Sequence, residues 1–175
     1  HEYRVKTDTE RYEDRYERYA KQLRRAGVVL LENESVLLPE TGIRIFGVEI
    51  DMDYYKKLRK SVMKVSYLNS LLGRPCADEY NILLAHNPDY FQAYAGWGAD
   101  LVLSGHVHGG IMRLPVLGGV LSPALRLFPR YDGGLYEEGK SKMVLGRGLG
   151  THTLPIRVFN PGELIVVRLE PERGN

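Results

Sequence analysis

Two short apolar runs, each running into histidine, constrain this chain more than any other feature. Ile82-Leu-Leu-Ala85 leads into His86-Asn87-Pro88, and Leu101-Val-Leu103 passes through Ser104 and Gly105 into His106-Val107-His108, followed by Gly109 and Gly110. An apolar run of that length bounded by turn residues reads as a buried strand. Glycine lets the backbone turn sharply at the sheet edge, so the imidazoles project from loops just past two strand ends. Three of the five histidines are placed this way. Neutral imidazole is the commonest transition-metal ligand, and open α/β sheets carry their sites at the carboxyl ends of strands.

The rest of the chain alternates in the same manner. Thr7-Asp-Thr-Glu10 reads as a capping box and Gly27 as a helix end. Between them Tyr12, Tyr16, Tyr19, Ala20 and Leu23 recur at helical spacing, a face expected to meet the core. Val28–Leu31 predicts a short strand. Ser35–Leu38 and Ile43–Val48 predict two more, joined by a hairpin loop over 39–42. Asp51–Leu72 carries a three-four apolar spacing through Tyr54, Leu58, Val62, Val65 and Leu68, which predicts a helix ended by Gly73 and Pro75. A strand over Asn81–Ala85, a short helix over Asp89–Ala95 with Pro88 in its first turn, and a strand over Leu101–Leu103 follow. Gly109 to Gly139 is rich in glycine and proline with little periodicity and reads as a long loop, functional or mobile. Met143–Leu145 and Leu164–Leu169 read as closing strands, and the tail from Glu170 to Asn175 as frayed.

Composition bounds the function. A chain of 175 residues is long enough for one domain with a hydrophobic core, and its net charge of +2 gives no case for nucleic acid. Cys76 is the single cysteine, so no internal disulfide framework is possible. No apolar run approaches the ~20 residues needed to span a membrane, and no signal peptide is visible.

Ala85-His86-Asn87 and Gly105-His106-Val107-His108 resemble the C-terminal motifs of the calcineurin-like metallophosphoesterases, and the wording is closest to a bacterial membrane-associated phosphodiesterase branch. The segments that carry the likeness are Leu84-Ala-His-Asn-Pro-Asp-Tyr90, Gly98 to Gly110, and Gly148-Leu-Gly-Thr-His-Thr-Leu-Pro-Ile-Arg157. The resemblance implies the C-terminal part of a four-layer αββα sandwich with mixed sheets, residues 1–175 forming one partial domain. The family also needs an Asp-x-His, a Gly-Asp and a Gly-Asn-His, and no Asp-x-His occurs here. His1-Glu2 looks like the tail of the third of these motifs, so the chain is expected to be a C-terminal fragment. Relatives of this branch often carry an N-terminal membrane anchor or export signal.

The resemblance further implies metal-dependent hydrolysis of a phosphate ester, through a water activated between two divalent ions (Mn, Fe or Zn) roughly 3.5–4 Å apart. His86 and His106 would bind one ion and His108 the other, with His1 as the acid at the leaving oxygen. His152, Arg157 and Asn87 are candidates for substrate contact, set against simpler roles: a turn histidine, a salt-bridged arginine and a helix cap. The substrate would be a small, lipid-linked or nucleotide phosphate ester. With half a metal shell, the isolated chain is expected to be inactive. An exposed sheet edge or face is expected to drive dimerisation. Two alternatives stay open: a non-catalytic α/β module that binds one metal or a partner, and a zinc hydrolase of another fold.

Overall fold

The computed structural model describes residues 6, 8–12, 14–56, 61–110, 112–114, 118–121, 128–150 and 156–171. The apolar runs of the sequence become the middle of a six-stranded mixed sheet. Strands β1 (Glu34–Leu38) and β2 (Ile43–Val48) form the expected hairpin. Beside β2 lie β3 (Tyr80–Ala85), β4 (Leu101–Ser104) and β8 (Ser141–Leu145), all parallel to it, and antiparallel β7 (Gly134–Glu138) closes the far edge. β5 (Met112–Leu114) and β6 (Gly118–Leu121) pair separately as a small antiparallel ribbon. The chain is thus mixed α/β, as its alternating pattern requires.

Parallel neighbours need a crossover, usually helical. After β2 the chain passes through a 3₁₀ turn at Met52–Tyr55 and a helix at Val65–Leu72 before entering β3. After β3 it passes through a 3₁₀ turn at Pro88–Tyr90 and a helix at Phe91–Trp97 before entering β4. Phe46, Leu83, Val102 and Met143 stand side by side across the four parallel strands, each at most 3% exposed. Period-two alternation puts them on one face. There they pack against Phe91, Tyr94 and Trp97 in one continuous core. Trp97 meets Phe46 edge to face at 4.9 Å, and its indole N–H donates to the Gly73 carbonyl at 2.8 Å. Burial of each such side chain is worth roughly 1.5–3 kcal/mol.

Near the N-terminus, Thr9–Tyr12 and Arg15–Arg25 are helical. Thr7 lies outside the described residues, and Asp8 does the capping, accepting from the Arg11 amide at 3.2 Å. Of the tyrosine stripe only Ala20 is fully buried, while Tyr19 is half exposed. Polar contacts hold this region to the sheet instead. Lys6 bridges Glu32 at 2.7 Å and Glu49, just past β2, at 2.9 Å, and the Tyr16 hydroxyl donates to Glu32. The Lys6 hydrogen bond, followed by that of Tyr16, holds the Glu32 carboxyl below its ordinary range. No helix among the described residues is long and apolar enough to cross a membrane.

Four expectations are corrected. Residues 28–31 form no strand. They cross β2 at Gly47, where an added Cβ would strike the Leu31 carbonyl and Cβ. The helix expected over Asp51–Leu72 is two elements. Asp51 caps the first turn, accepting from the Asp53 amide at 2.8 Å, and the Tyr54 carbonyl that a continuing helix would use accepts from Tyr90 Oη at 2.8 Å and Asn87 Nδ2 at 3.3 Å. The loop expected over Gly109–Gly139 contains β5, β6 and β7. Leu164–Leu169 runs without strand pairing.

Candidate functional site

The parallel strands β2, β3, β4 and β8 present their carboxyl ends along one edge, so the residues after Val48, Ala85, Ser104 and Leu145 are neighbours. Two of these exits are laced together. The Ser104 hydroxyl donates to the Ala85 carbonyl at 2.6 Å, and the Gly105 amide to the His86 carbonyl at 3.2 Å. On the other side the Gly146 amide donates to the Ser104 carbonyl at 3.0 Å.

This lacing brings His86 and His106 together, with ring centroids 5.1 Å apart and planes crossed at 72°. A Cβ at position 105 would sit 3.6 Å from His86 Nδ1, in ordinary contact with that ring. The Tyr55 ring also meets His106, edge on, with centroids 5.3 Å apart. Burial, with the nearby Tyr90, pushes the Tyr55 phenol up to about 12, so it is a neutral wall across the working pH range. The 3₁₀ turn that carries Tyr55 is held by the Tyr54 carbonyl contacts already described and by the Asp51 amide, which donates to the Tyr67 hydroxyl at 2.9 Å.

The backbone around the histidines is strained. His106 has φ 72° and His108 φ 48°, both in the left-handed region that side chains avoid. The Val107 amide donates to the Gly105 carbonyl at 2.8 Å, closing a three-residue turn centred on His106. Gly109 and Gly110 continue with φ 73° and 84°. Non-glycine residues held there cost on the order of 1–3 kcal/mol each, and such outliers cluster at functional sites. The turn aims His106 and His108 from one short loop. His108 lies toward the exit of β8, since a Cβ at Gly150 would come 3.9 Å from its Cε1.

Comparison with known proteins gives the same direction. The chain is 35% identical over 91 residues, 52% of its length, to a protein of Bacillus subtilis named "Uncharacterized metallophosphoesterase YkuE", of which it covers 31%. It is 38% identical over 80 residues, 44% of its length, to "Phosphodiesterase YaeI" of Escherichia coli, covering 29% of that protein. It is also 30% identical over 151 residues, 79% of its length, to "UDP-2,3-diacylglucosamine pyrophosphatase LpxG" of Chlamydia muridarum, covering 40% of it. The chain is therefore similar to metallophosphoesterases. It spans less than half the length of each of these three relatives. No family model and no solved structure matches it.

A metallophosphoesterase needs a shell of donors around divalent ions, and the histidine pair fits the beginning of one. Two edge-to-face imidazoles at this spacing can share an ion, given Zn–N bonds of about 2.0–2.1 Å. Among the described residues, however, no group of three or more His, Cys, Asp or Glu side chains gathers closely enough to hold an ion. Asp100, at the opposite end of β4, and Asp132 have structural duties. Asp100 Oδ2 accepts from the Asn81 amide at 2.7 Å, tying the start of β3 to that of β4. Asp132 pairs with Arg113 at 3.0 Å and accepts from the Gly119 amide and from Tyr136.

The remaining predicted residues are placed as follows. His1 and His152 lie outside the described residues. Asn87 is 4% exposed, with Oδ1 accepting from the Asp89 amide at 3.1 Å and Nδ2 donating to Tyr54, which makes it the cap of the Pro88–Tyr90 turn. Arg157 turns Nη2 onto the carbonyls of Arg147 at 3.0 Å, Gly148 at 3.1 Å and Gly150. Sequence reasoning missed Asn160. It is 2% exposed, and its Nδ2 donates to the carbonyls of His108 and Gly110, each at 2.7 Å. Its partners lie about fifty residues upstream, beyond the reach of any local pattern.

Proposed function

We propose that this chain serves metal-dependent hydrolysis of phosphate esters, most specifically of phosphodiesters. The observation that carries the reading is the pairing of His86 with His106 at the carboxyl edge of the parallel strands, with His108 on the same strained loop. His86 and His106 are the donors for one divalent ion and His108 for a second. When bound, such ions supply Lewis-acid polarisation of the phosphate and a water of lowered pKa. The metal is Mn, Fe or Zn, as mixed imidazole and carboxylate donors favour.

The chain's own residues then have distinct tasks. The γ-like turn at His106 fixes the direction of the imidazole, and Tyr55 packs against it edge on. His1 is assigned as the acid that hands a proton to the leaving oxygen, and His152 to the substrate cleft. Arg157 and Asn87 act mainly through the backbone groups they hold, with direct phosphate contact secondary. A phosphate ester attached to a lipid or a nucleotide is the substrate class, the lipid option drawing support from the relative named a UDP-2,3-diacylglucosamine pyrophosphatase.

Residues 1–175 are read as one partial catalytic domain. Elemental analysis after Mn and Zn loading tests this. One weakly held ion per chain, or none, together with little turnover of bis(p-nitrophenyl) phosphate, is the expected result. Two tightly held ions would overturn the half-site reading, and turnover abolished by His108→Ala would overturn the expected inactivity of the isolated chain. The gathering of fewer than three donors among the described residues favours a second reading, a non-catalytic module binding one metal or a partner. One tight ion with no turnover in any longer form of the protein would select it.

A further inference from the structure

We infer that the segment from Arg157 to Glu163 is a strap that positions the His106–His108 loop, with Asn160 as its central positioning residue. The inference rests on the reading of His108 as a metal ligand, and adds to it the group that holds His108 in place. Three side chains at three-residue spacing all face the carboxyl edge of the sheet. Arg157 collects the carbonyls of the loop after β8. Asn160 collects the carbonyls of His108 and Gly110. Glu163 receives the Arg147 amide at 3.1 Å and the Arg147 guanidinium at 2.7 Å. The segment is anchored from outside as well, by the Arg113 amide donating to the Val158 carbonyl at 3.0 Å.

The orientation of the Asn160 amide follows from its partners. Both atoms facing Nδ2 are carbonyl oxygens, which only accept. Flipping the amide would set Oδ1 against two oxygens in a buried site and lose both bonds. Oδ1 is itself buried without a partner among the described residues. An unsatisfied buried acceptor is destabilising, and here it accompanies two short hydrogen bonds that secure a left-handed backbone. Gly109 completes the fit. A Cβ there would lie 2.7 Å from Asn160 Oδ1 and 2.7 Å from Arg147 Cδ, at a φ that side chains rarely adopt. The loop carbonyls, the strap and the missing Cβ therefore form one interlocked unit. Without the amide donors, the loop loses the contacts that offset its strain, and His108 loses its fixed direction.

The test uses Asn160→Asp, which keeps the shape and removes both donors, in the full 175-residue chain. In the metal-free chain, imidazole and amide nitrogen spectra should show the His108 and Gly110 signals shifted and the His86 signals in place. Zinc titration should show affinity weakened roughly 10–100-fold, as loss of a group that orients a ligand does. Unmoved His108 and Gly110 signals would overturn the strap. His86→Ala serves as the control for the underlying reading. Zinc affinity unchanged by that substitution would sink the metal assignment, leaving the strap to be judged on the metal-free spectra. Should Asn160→Asp fail to fold, proton exchange at the Asn160 side-chain amide of the wild-type chain decides. Slow exchange supports the two hydrogen bonds, and exchange at the rate of an exposed amide overturns them.

Discussion

Gly47 shows how one missing methyl group routes the chain. It sits in β2 opposite Leu84, and the 28–31 segment crosses so closely that a Cβ at position 47 would meet the Leu31 backbone. Backbone cannot move aside as a flexible side chain can. Gly47→Ala should therefore cost roughly 1–3 kcal/mol through overpacking, read as a lower urea midpoint with an unchanged slope. A substitution within ±0.5 kcal/mol of wild type would mean that the crossing is looser than this geometry. Val28–Leu31, apolar and β-branched, is not a strand: Leu31 lies against β2 at Gly47, while Val28 and Val29 stay exposed. The placement of His86, His106 and His108 just past strand ends was legible because strand, glycine and histidine are adjacent in sequence. Asn160 and Tyr55 were not, because their partners are reached only through the fold.

At the scale of elements, the strap couples stability to pH. The Arg147 hydrogen bond holds the Glu163 carboxyl below its ordinary value of 4.5, and the same pair raises Arg147. A lowered folded pKa means stabilisation that is fully present above the ordinary value and is lost as pH falls through the lowered one. Glu163→Gln should lower the melting temperature at pH 7 by the equivalent of about 1 kcal/mol. The gap between variant and wild type should close as pH drops below 4.5, where the wild-type carboxyl takes up its proton. A constant gap from pH 7 to pH 3 would assign the loss to packing instead. Element boundaries divided along a physical line. β1, β2, β3, β4 and β8 carry clear apolar patterns, four of them burying at least one side chain or more in the sheet. β5, β6 and β7 are three to five residues long and set among glycines, so their pairing is decided by partners. Leu164–Leu169 has a strand's composition and no pairing, because a strand requires a neighbour.

At the scale of the whole molecule, the sheet's two faces are unequal. One is sealed by the Phe46, Leu83, Val102 and Met143 row and the helices over it. On the other, Leu84 stands 39% exposed although β3 is a central strand, and Leu135 of β7 is 60% exposed. Leu164 and Val166 add exposures of 83% and 86% from the unpaired segment. A central strand with solvent against its leucine is unusual for a parallel arrangement, which is normally covered on both faces. Apolar side chains left exposed on a sheet face suit a contact surface. We therefore expect the 175-residue chain to self-associate through it, with a concentration-dependent sedimentation coefficient. Leu84→Asp combined with Leu135→Asp should shift that equilibrium toward monomer by about tenfold or more, while the Phe46–Trp97 core keeps its near-ultraviolet signature. A wild-type chain that stays monomeric at high concentration would sink the idea. Association that persists unchanged in the double variant would move the contact elsewhere, with the unpaired segment at Leu164 and Val166 next to be substituted.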